Sequence, residues 1–202
     1  MFAFLSKQGR QRTKAARGLY ATVMVASRNP AFFSVYNVPD TVEGRFEVLA
    51  MHGGVLVNRL SSPEMGREGV KLAQAFFDVM FRDLDWSLRE MGIGDLGVPR
   101  RVKKMMSAFK GRAVAYDEAL KSGAGDVKHA LIRNMYGMAQ EISSSKLDMM
   151  VSYMQECAKK LADVKLADFQ QGKVILPELK LPEELDKNTK EECEENGSKE
   201  AA

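Results

Sequence analysis

The sequence has little with which to build a covalent or metal-held scaffold. It carries two cysteines, Cys157 and Cys193, far apart in the chain, and two histidines, His52 and His129. A disulfide framework or a zinc site needs these residues clustered at short spacings, so neither is supported, and a reducing compartment fits. His52 and His129 have no spacing partners, and no Ser-His-Asp or Cys-His set emerges for nucleophilic catalysis. Helix-borne dimetal sites use Glu-x-x-His pairs, and no histidine stands near the acids at 78–90. A G-x-x-x-x-G-K-[ST] phosphate loop is absent. Catalytic residues, a bound metal and a cofactor are therefore not expected. Long apolar runs are missing too. The most apolar stretches, LYATVMVAS and VLAMHGGVLV, fall well short of the roughly 20 residues that span a bilayer. FAFL near the start is too brief for a secretory signal, and no A-x-A-like cleavage site follows it. The acid-free start shares its composition with mitochondrial transit peptides, but it runs straight into helical sequence without a cleavable spacer.

What is present is one domain's worth of chain, 202 residues and 45% hydrophobic, enough for a real core. The net charge of +3 hides an asymmetry. Residues 1–28 hold Lys7, Arg10, Arg12, Lys14, Arg17 and Arg28 and no acid. Residues 177–202 hold nine acids and four lysines, a net of −5, which leaves +8 on the rest. Such a split points to an anionic partner, or to a tail that covers the basic face.

The periodicity is helical nearly throughout. Strand-like alternation is weakest to argue for: VILPELKL is the nearest case, with Pro177 inside it and Pro182 just after. A first helix is expected over 7–27, ended by Asn29-Pro30, with Lys7, Arg10, Lys14 and Arg17 on one side. Asp40 followed by Glu43 reads as a capping-box variant opening the next helix, whose apolar positions are Phe46, Leu49, Gly53, Leu56 and Leu60. Gly53-Gly54 weakens that helix and is explained by a close helix crossing. After Ser61-Ser62-Pro63 a long helix runs from about Glu64 to Met91, striped by Phe77, Phe81, Leu84, Leu88 and Met91. Another runs from Pro99 to about Ser122, then DVKHALIRNMYGM, then SKLDMMVSYMQECAKKLADVKLADF. The sequence thus describes an all-α, single compact domain of about six or seven helices with a disordered acidic C-terminal tail. It divides into a basic N-terminal helix at 1–28, a helical domain at 29–171, and a polar tail at 172–202, most acidic from 177.

Between the two long helices stands GIGDLG, Gly92–Gly97, with the G-x-G-x-x-G spacing of a dinucleotide fingerprint. That fingerprint needs a buried strand in front of it. Here FFDVMFRDLDWSLREM precedes it with a period of 3.6 and with i,i+4 acid-to-base pairs, Asp78 to Arg82 and Asp85 to Arg89. The glycines are better read as a helix stop. Gly92 suits the left-handed C′ position, with Ile93 packing back on Leu88.

The helix after this corner is two-faced. Val102, Met105, Met106, Phe109, Ala113, Tyr116 and Leu120 share one side, and Arg100, Arg101, Lys103, Lys104, Lys110 and Arg112 lie outside it. No acid interrupts from Asp95 to Asp117. A solvated face and contact with an anionic partner are both open readings. Aromatics are not interleaved with the basic residues, so sequence-specific nucleic-acid binding is not expected. The acids and arginines at 78–90 read first as a salt-bridged surface. Thirteen methionines are many for this length, and Met135, Met138, Met149, Met150 and Met154 crowd the C-terminal third. Such side chains either fill a core or line a groove that accepts varied apolar partners.

FFDVMFRDLDWSLREMGIGDLGVPRRVKKMMSAFKGRAVAYDEAL resembles the core signature of the ubiquinol–cytochrome c chaperone family. NPAFFSVYNVPDTVEGRFEVLAMHGGVLVNRL resembles its N-terminal half. Together they cover about 19–120 and, more loosely, on to about 170. The resemblance implies an assembly factor and not an enzyme: a chaperone of newly made cytochrome b that supports biogenesis of respiratory complex III, in some members with a small partner subunit. The compact chain looks like a bacterial member, acting in the cytoplasm at the inner membrane; a eukaryotic one would act in the mitochondrial matrix. Carried onto this sequence, the motif implies a client surface of Asp83, Asp85, Arg89, Glu90, Asp95, Pro99, Lys103 and Lys104, with Phe81, Leu88 and Met91 in the core. The alternative is a peripheral membrane or ribosome adaptor, with Lys7, Arg10, Lys14, Arg17, Arg100, Arg101, Lys110 and Arg112 as the face for an anionic partner.

Overall fold

A computed structural model describes residues 7–137 and 142–179. Among the described residues the chain is all helical. Six helices have eight residues or more: α1 (Lys7–Ser27), α3 (Val42–Leu60), α4 (Gly66–Glu90), α5 (Gly97–Ser122), α6 (Ala124–Leu131) and α7 (Ser144–Ala162). Two single-turn helices, α2 (Ala31–Ser34) and α8 (Leu166–Gln170), complete the set.

The apolar stretch VLAMHGGVLV determines the architecture. Every residue from 48 to 56 is buried, and a helix that is apolar all round belongs at the centre. α3 is that centre, with α1, α4, α5 and α7 packed around it. Leu56, Met51 and Phe76 are fully enclosed, each contributing about 1.5–3 kcal/mol through burial. Gly53 and Gly54 serve the close crossing expected of them. A Cβ on Gly53 would sit 3.1 Å from the Phe109 ring, and one on Gly54 would sit 3.2 Å from the Ala113 Cα. Asn58 Nδ2 donates to the Ala113 carbonyl at 2.8 Å and fixes the same crossing.

Several boundaries move. The N-cap of α3 is Thr41 and not Asp40: Thr41 has extended φ and ψ, and its hydroxyl accepts from the Gly44 N–H at 3.0 Å. Asp40 lies one residue outside the helix and pairs with Arg45 at 2.6 Å. The stripe of α4 also shifts. Leu72, Ala73, Phe76, Met80 and Phe81 are its buried line, whereas Phe77 and Leu84 are half-buried and Met91 is 55% exposed. Met91 is thus not core, because it caps the helix at the start of the corner. The segment expected as one helix over DVKHALIRNMYGM begins earlier, at Ala124, and loosens into a π turn at Ile132–Tyr136. The last long helix breaks at 163–165. The break lets α8 turn back so that Phe169 is buried where α8 meets α1. Arg59 donates to the carbonyls of Leu161 and Ala162, tying the end of α3 to the C-terminus of α7, where orphan carbonyls favour a cation.

Residues 173–179, assigned from sequence to the tail, form an extended segment laid on the helices, with Pro177 and Leu179 buried. The remainder of the tail, and Met138, lie outside the described residues.

Candidate functional site

The helix packing leaves a cleft of about 560 Å3 at one end of the molecule. Tyr20, Met24, Ser27 and Arg28 of α1 form one wall, and Leu84, Ser87, Leu88 and Met91 of α4 form another. The start of α3 supplies Val42, Phe46 and Leu49, and α5 supplies Met105. Phe46, Leu49 and Leu88 are buried at its base, while Met24, Leu84 and Met105 are half-buried along the sides. The lining is mostly apolar and rich in flexible side chains, with Arg28, Asp40, Arg45 and Asp83 at its edge.

Three of these charged residues are held by partners. Asp83 accepts from the Tyr20 hydroxyl at 2.7 Å and so fastens α4 to α1. Burial raises the Tyr20 phenol pKa, and the neighbouring Asp83 carboxylate raises it further. Arg45 pairs with Asp40, and its guanidinium stands 5.0 Å from the Phe33 ring centroid.

The GIGDLG corner follows directly after Met91 of the cleft wall, and it is a helix reversal. Gly92 has φ +79. Its N–H bonds the Arg89 carbonyl at 3.0 Å, and the Ile93 N–H bonds the Leu88 carbonyl at 3.3 Å. This is the paired hydrogen bonding of a Schellman stop. No strand precedes it among the described residues, so the dinucleotide reading has no scaffold. Arg89 bridges the corner, reaching Asp85 at 2.8 Å and Asp95 at 2.6 Å. Behind it, the rings of Phe77, Phe81 and Phe109 meet at centroid distances of 4.5–5.9 Å and lock α4 to α5.

The residues named from the motif therefore divide. Arg89 pairs with Asp85 and Asp95 across the corner, and Asp83 on α4 is spent on Tyr20 of α1. Glu90, Pro99, Lys103 and Lys104 are exposed. On the basic faces, Lys7, Arg10, Lys14 and Arg17 are exposed along α1, and Arg100, Arg101 and Lys110 along α5. Lys110 stands 5.6 Å from the Phe77 ring centroid. Arg112 departs from this set. It turns inward to a two-pronged pair with Glu47 at 2.8 and 2.9 Å, because α5 crosses α3 there.

The expected crowding of methionines in the C-terminal third is mainly core. Met135, Met150 and Met154 are buried, and Met149 is half-buried with its sulfur 3.8 Å from the Tyr36 hydroxyl. The methionines at the cleft are Met24, Met91 and Met105; the sequence reading placed Met91 and Met105 on apolar helix faces and did not mark Met24. It also missed Arg28, Arg45, Trp86 and Leu96. Trp86 and Leu96 are 64% and 96% exposed, and the signal was available: Trp86 falls off the apolar stripe of α4, and Leu96 stands in the corner before α5.

His52 is 1% exposed. Its Nδ1 donates to the Val48 carbonyl, so Nε2 accepts from the Tyr153 hydroxyl, both at 2.8 Å. Burial pushes its pKa down to about 4, which makes it a neutral core residue. The Cys157 thiol is pushed up to about 12 by burial. Among the described residues no cluster of His, Cys, Asp and Glu could hold a metal, and no helix is long and apolar enough to cross a membrane.

Comparison with known proteins places this geometry. The family model for the ubiquinol-cytochrome C chaperone matches residues 34–176. The chain belongs to that family. The matched region runs from the end of α2 past α8, so it includes the corner and every wall of the cleft except α1. Ubiquinol-cytochrome-c reductase complex assembly factor 1 of Xenopus laevis is 24% identical over 142 residues, covering 70% of this chain and 70% of its own length. The Drosophila melanogaster protein of that name is 24% identical over 146 residues, covering 71% and 56%. The chain thus spans little more than half the length of the fly relative. The crystal structure of the Cbp3 homolog from Brucella abortus aligns with a TM-score of 0.74 at 29% identity, over 86% of this chain and 94% of that one. The chaperone family accordingly shares this helical architecture.

Proposed function

We propose that this member of the ubiquinol-cytochrome C chaperone family is an assembly factor for respiratory complex III. It binds newly made cytochrome b and shields one of its apolar transmembrane segments. The observation that carries this reading is the cleft: a methionine-bearing, mostly apolar channel at whose edge Asp83 is bonded to Tyr20 and Asp40 to Arg45. Such a surface accepts varied apolar helices without demanding a fixed hydrogen-bond pattern. The family's name and those of the fly and frog relatives support the reading. Asp85, Arg89 and Asp95 then act on the client through the corner they brace, Asp83 by fastening α4 to α1 at the cleft's edge, and Glu90, Pro99, Lys103 and Lys104 flank the corner. A small partner subunit, and a location at the cytoplasmic face of the inner membrane, belong to the same proposal. Deleting the gene lowers assembled complex III and cytochrome b; normal levels of both overturn the reading.

A second reading, an adaptor for an anionic membrane or ribosome surface, is favoured by one observation. Arg100, Arg101, Lys103 and Lys104 are exposed together on a helix with no acid from 96 to 116. It is tested by flotation with neutral and anionic vesicles, and binding indifferent to lipid charge and salt removes its membrane form.

A further inference from the structure

The α4–α5 corner has an unusual make-up on its outer side. Leu96 stands at the tip of the α4–α5 reversal and is 96% exposed. Met91 begins the reversal at 55%, and Trp86 lies on α4 at 64%. Trp86 is five residues before Met91, about 7.5 Å along the helix axis and about 140° around it, so it lies on the other face of α4, near the tip but away from the cleft. Beyond the tip, the first turns of α5 present Arg100, Arg101, Lys103 and Lys104 to solvent. The acid nearest the tip, Asp95, is paired with Arg89, while Glu90 is exposed.

Single exposed apolar side chains are ordinary, but a leucine standing almost wholly in water at the tip of a reversal, next to a run of four exposed cations, is the pairing that a charged lipid surface accommodates. The interface of an anionic bilayer answers each part. Leucine and methionine enter the acyl boundary to about 5–10 Å, tryptophan sits at headgroup level, and lysine and arginine meet lipid phosphates. We infer that the α4–α5 corner is a membrane-docking tip, in which Leu96 inserts into an anionic lipid surface while the start of α5 lies on its headgroups. This rests on the cleft reading for its consequence. Met91 belongs both to the tip and to the cleft wall, so docking by this edge opens the cleft at the bilayer surface, where an apolar segment would enter or leave.

The chain carries its own reporter, since Trp86 is its one tryptophan. The full chain is mixed with vesicles of phosphatidylcholine alone and of phosphatidylcholine with phosphatidylglycerol. The expected result is a blue shift of Trp86 emission and protection from acrylamide with the anionic vesicles only, reversed by salt. Leu96→Glu weakens binding by about a hundredfold, and Lys103→Ala by about fivefold. Both residues are exposed, so circular dichroism of the variants stays unchanged. Lys14→Glu with Arg17→Glu on α1 leaves the Trp86 shift in place. No vesicle binding, or binding without a Trp86 shift that the α1 variants abolish, overturns the inference. Capture of cytochrome b in detergent is measured separately: a wild-type chain that captures it but binds no vesicles refutes the tip alone, and a wild-type chain that captures none refutes the chaperone reading.

Discussion

His52 makes stability depend on acid in a way that can be calculated. The ring is neutral in the folded chain because it is enclosed, and because its two nitrogens are committed in opposite senses to Val48 and Tyr153. A second proton would have to displace the Tyr153 hydroxyl hydrogen inside the core. With a folded pKa of about 4 against an ordinary value of 6.5, the unfolded chain binds this proton first. Stability from this group is complete above pH 6.5 and is lost as pH falls toward 4. The linkage gives a loss of about 2.5 kcal/mol at about pH 4.5 relative to neutral pH. Urea unfolding of the wild type and of His52→Gln at about pH 7.5 and pH 4.5 isolates the term. The wild type should lose about 2.5 kcal/mol more than the variant between the two conditions, whatever the variant's own stability. An equal loss in both proteins, or His52 ring signals that titrate near pH 6.5 in the native state, would refute the reasoning.

Gly54→Val is expected to cost about 1–3 kcal/mol as overpacking against the Ala113 backbone. A thermal melt reads this, and an unchanged midpoint would mean that α3 and α5 do not cross there as described. In a Cys193→Ser chain, the buried Cys157 thiol should be inert to a thiol reagent at about pH 8 until denaturant is added. Fast reaction in native buffer would contradict its enclosure.

The fold was legible where one physical signal dominated. The 3.6 period of α4 and α5, the proline and asparagine that end α1, and Gly92 as a left-handed stop all follow from local chemistry, and local chemistry decided them. Gly53-Gly54 were readable as a crossing for the same reason. The cap of α3 was misplaced by one residue because Asp40 and Thr41 are both good capping types, and only the backbone angles distinguish them. The break before α8 was hidden because its helical period continues across 163–165, and what turns the chain is the burial of Phe169 against α1. Residues 173–179, KVILPEL, are mostly apolar, but they run into the acidic residues that follow and were read with them as tail; Pro177 and Leu179 in fact find cover against the helices. The cleft was the least legible feature. Its walls come from α1, α3, α4 and α5, and a methionine on a helix looks the same whether it faces a core or an open channel. The crowded methionines drew attention to the wrong end, and the isolated Met24, Met91 and Met105 form the lining.

The chaperone reading is tested most directly by photo-crosslinking from the cleft during synthesis of cytochrome b. A benzoylphenylalanine is placed at Met91, and in a second chain at Lys159, an exposed position on α7 away from the cleft. Crosslinks from position 91 to an apolar segment of newly made cytochrome b, with none from 159, are the expected result. Crosslinks absent from position 91 while the variant still supports complex III assembly would contradict it.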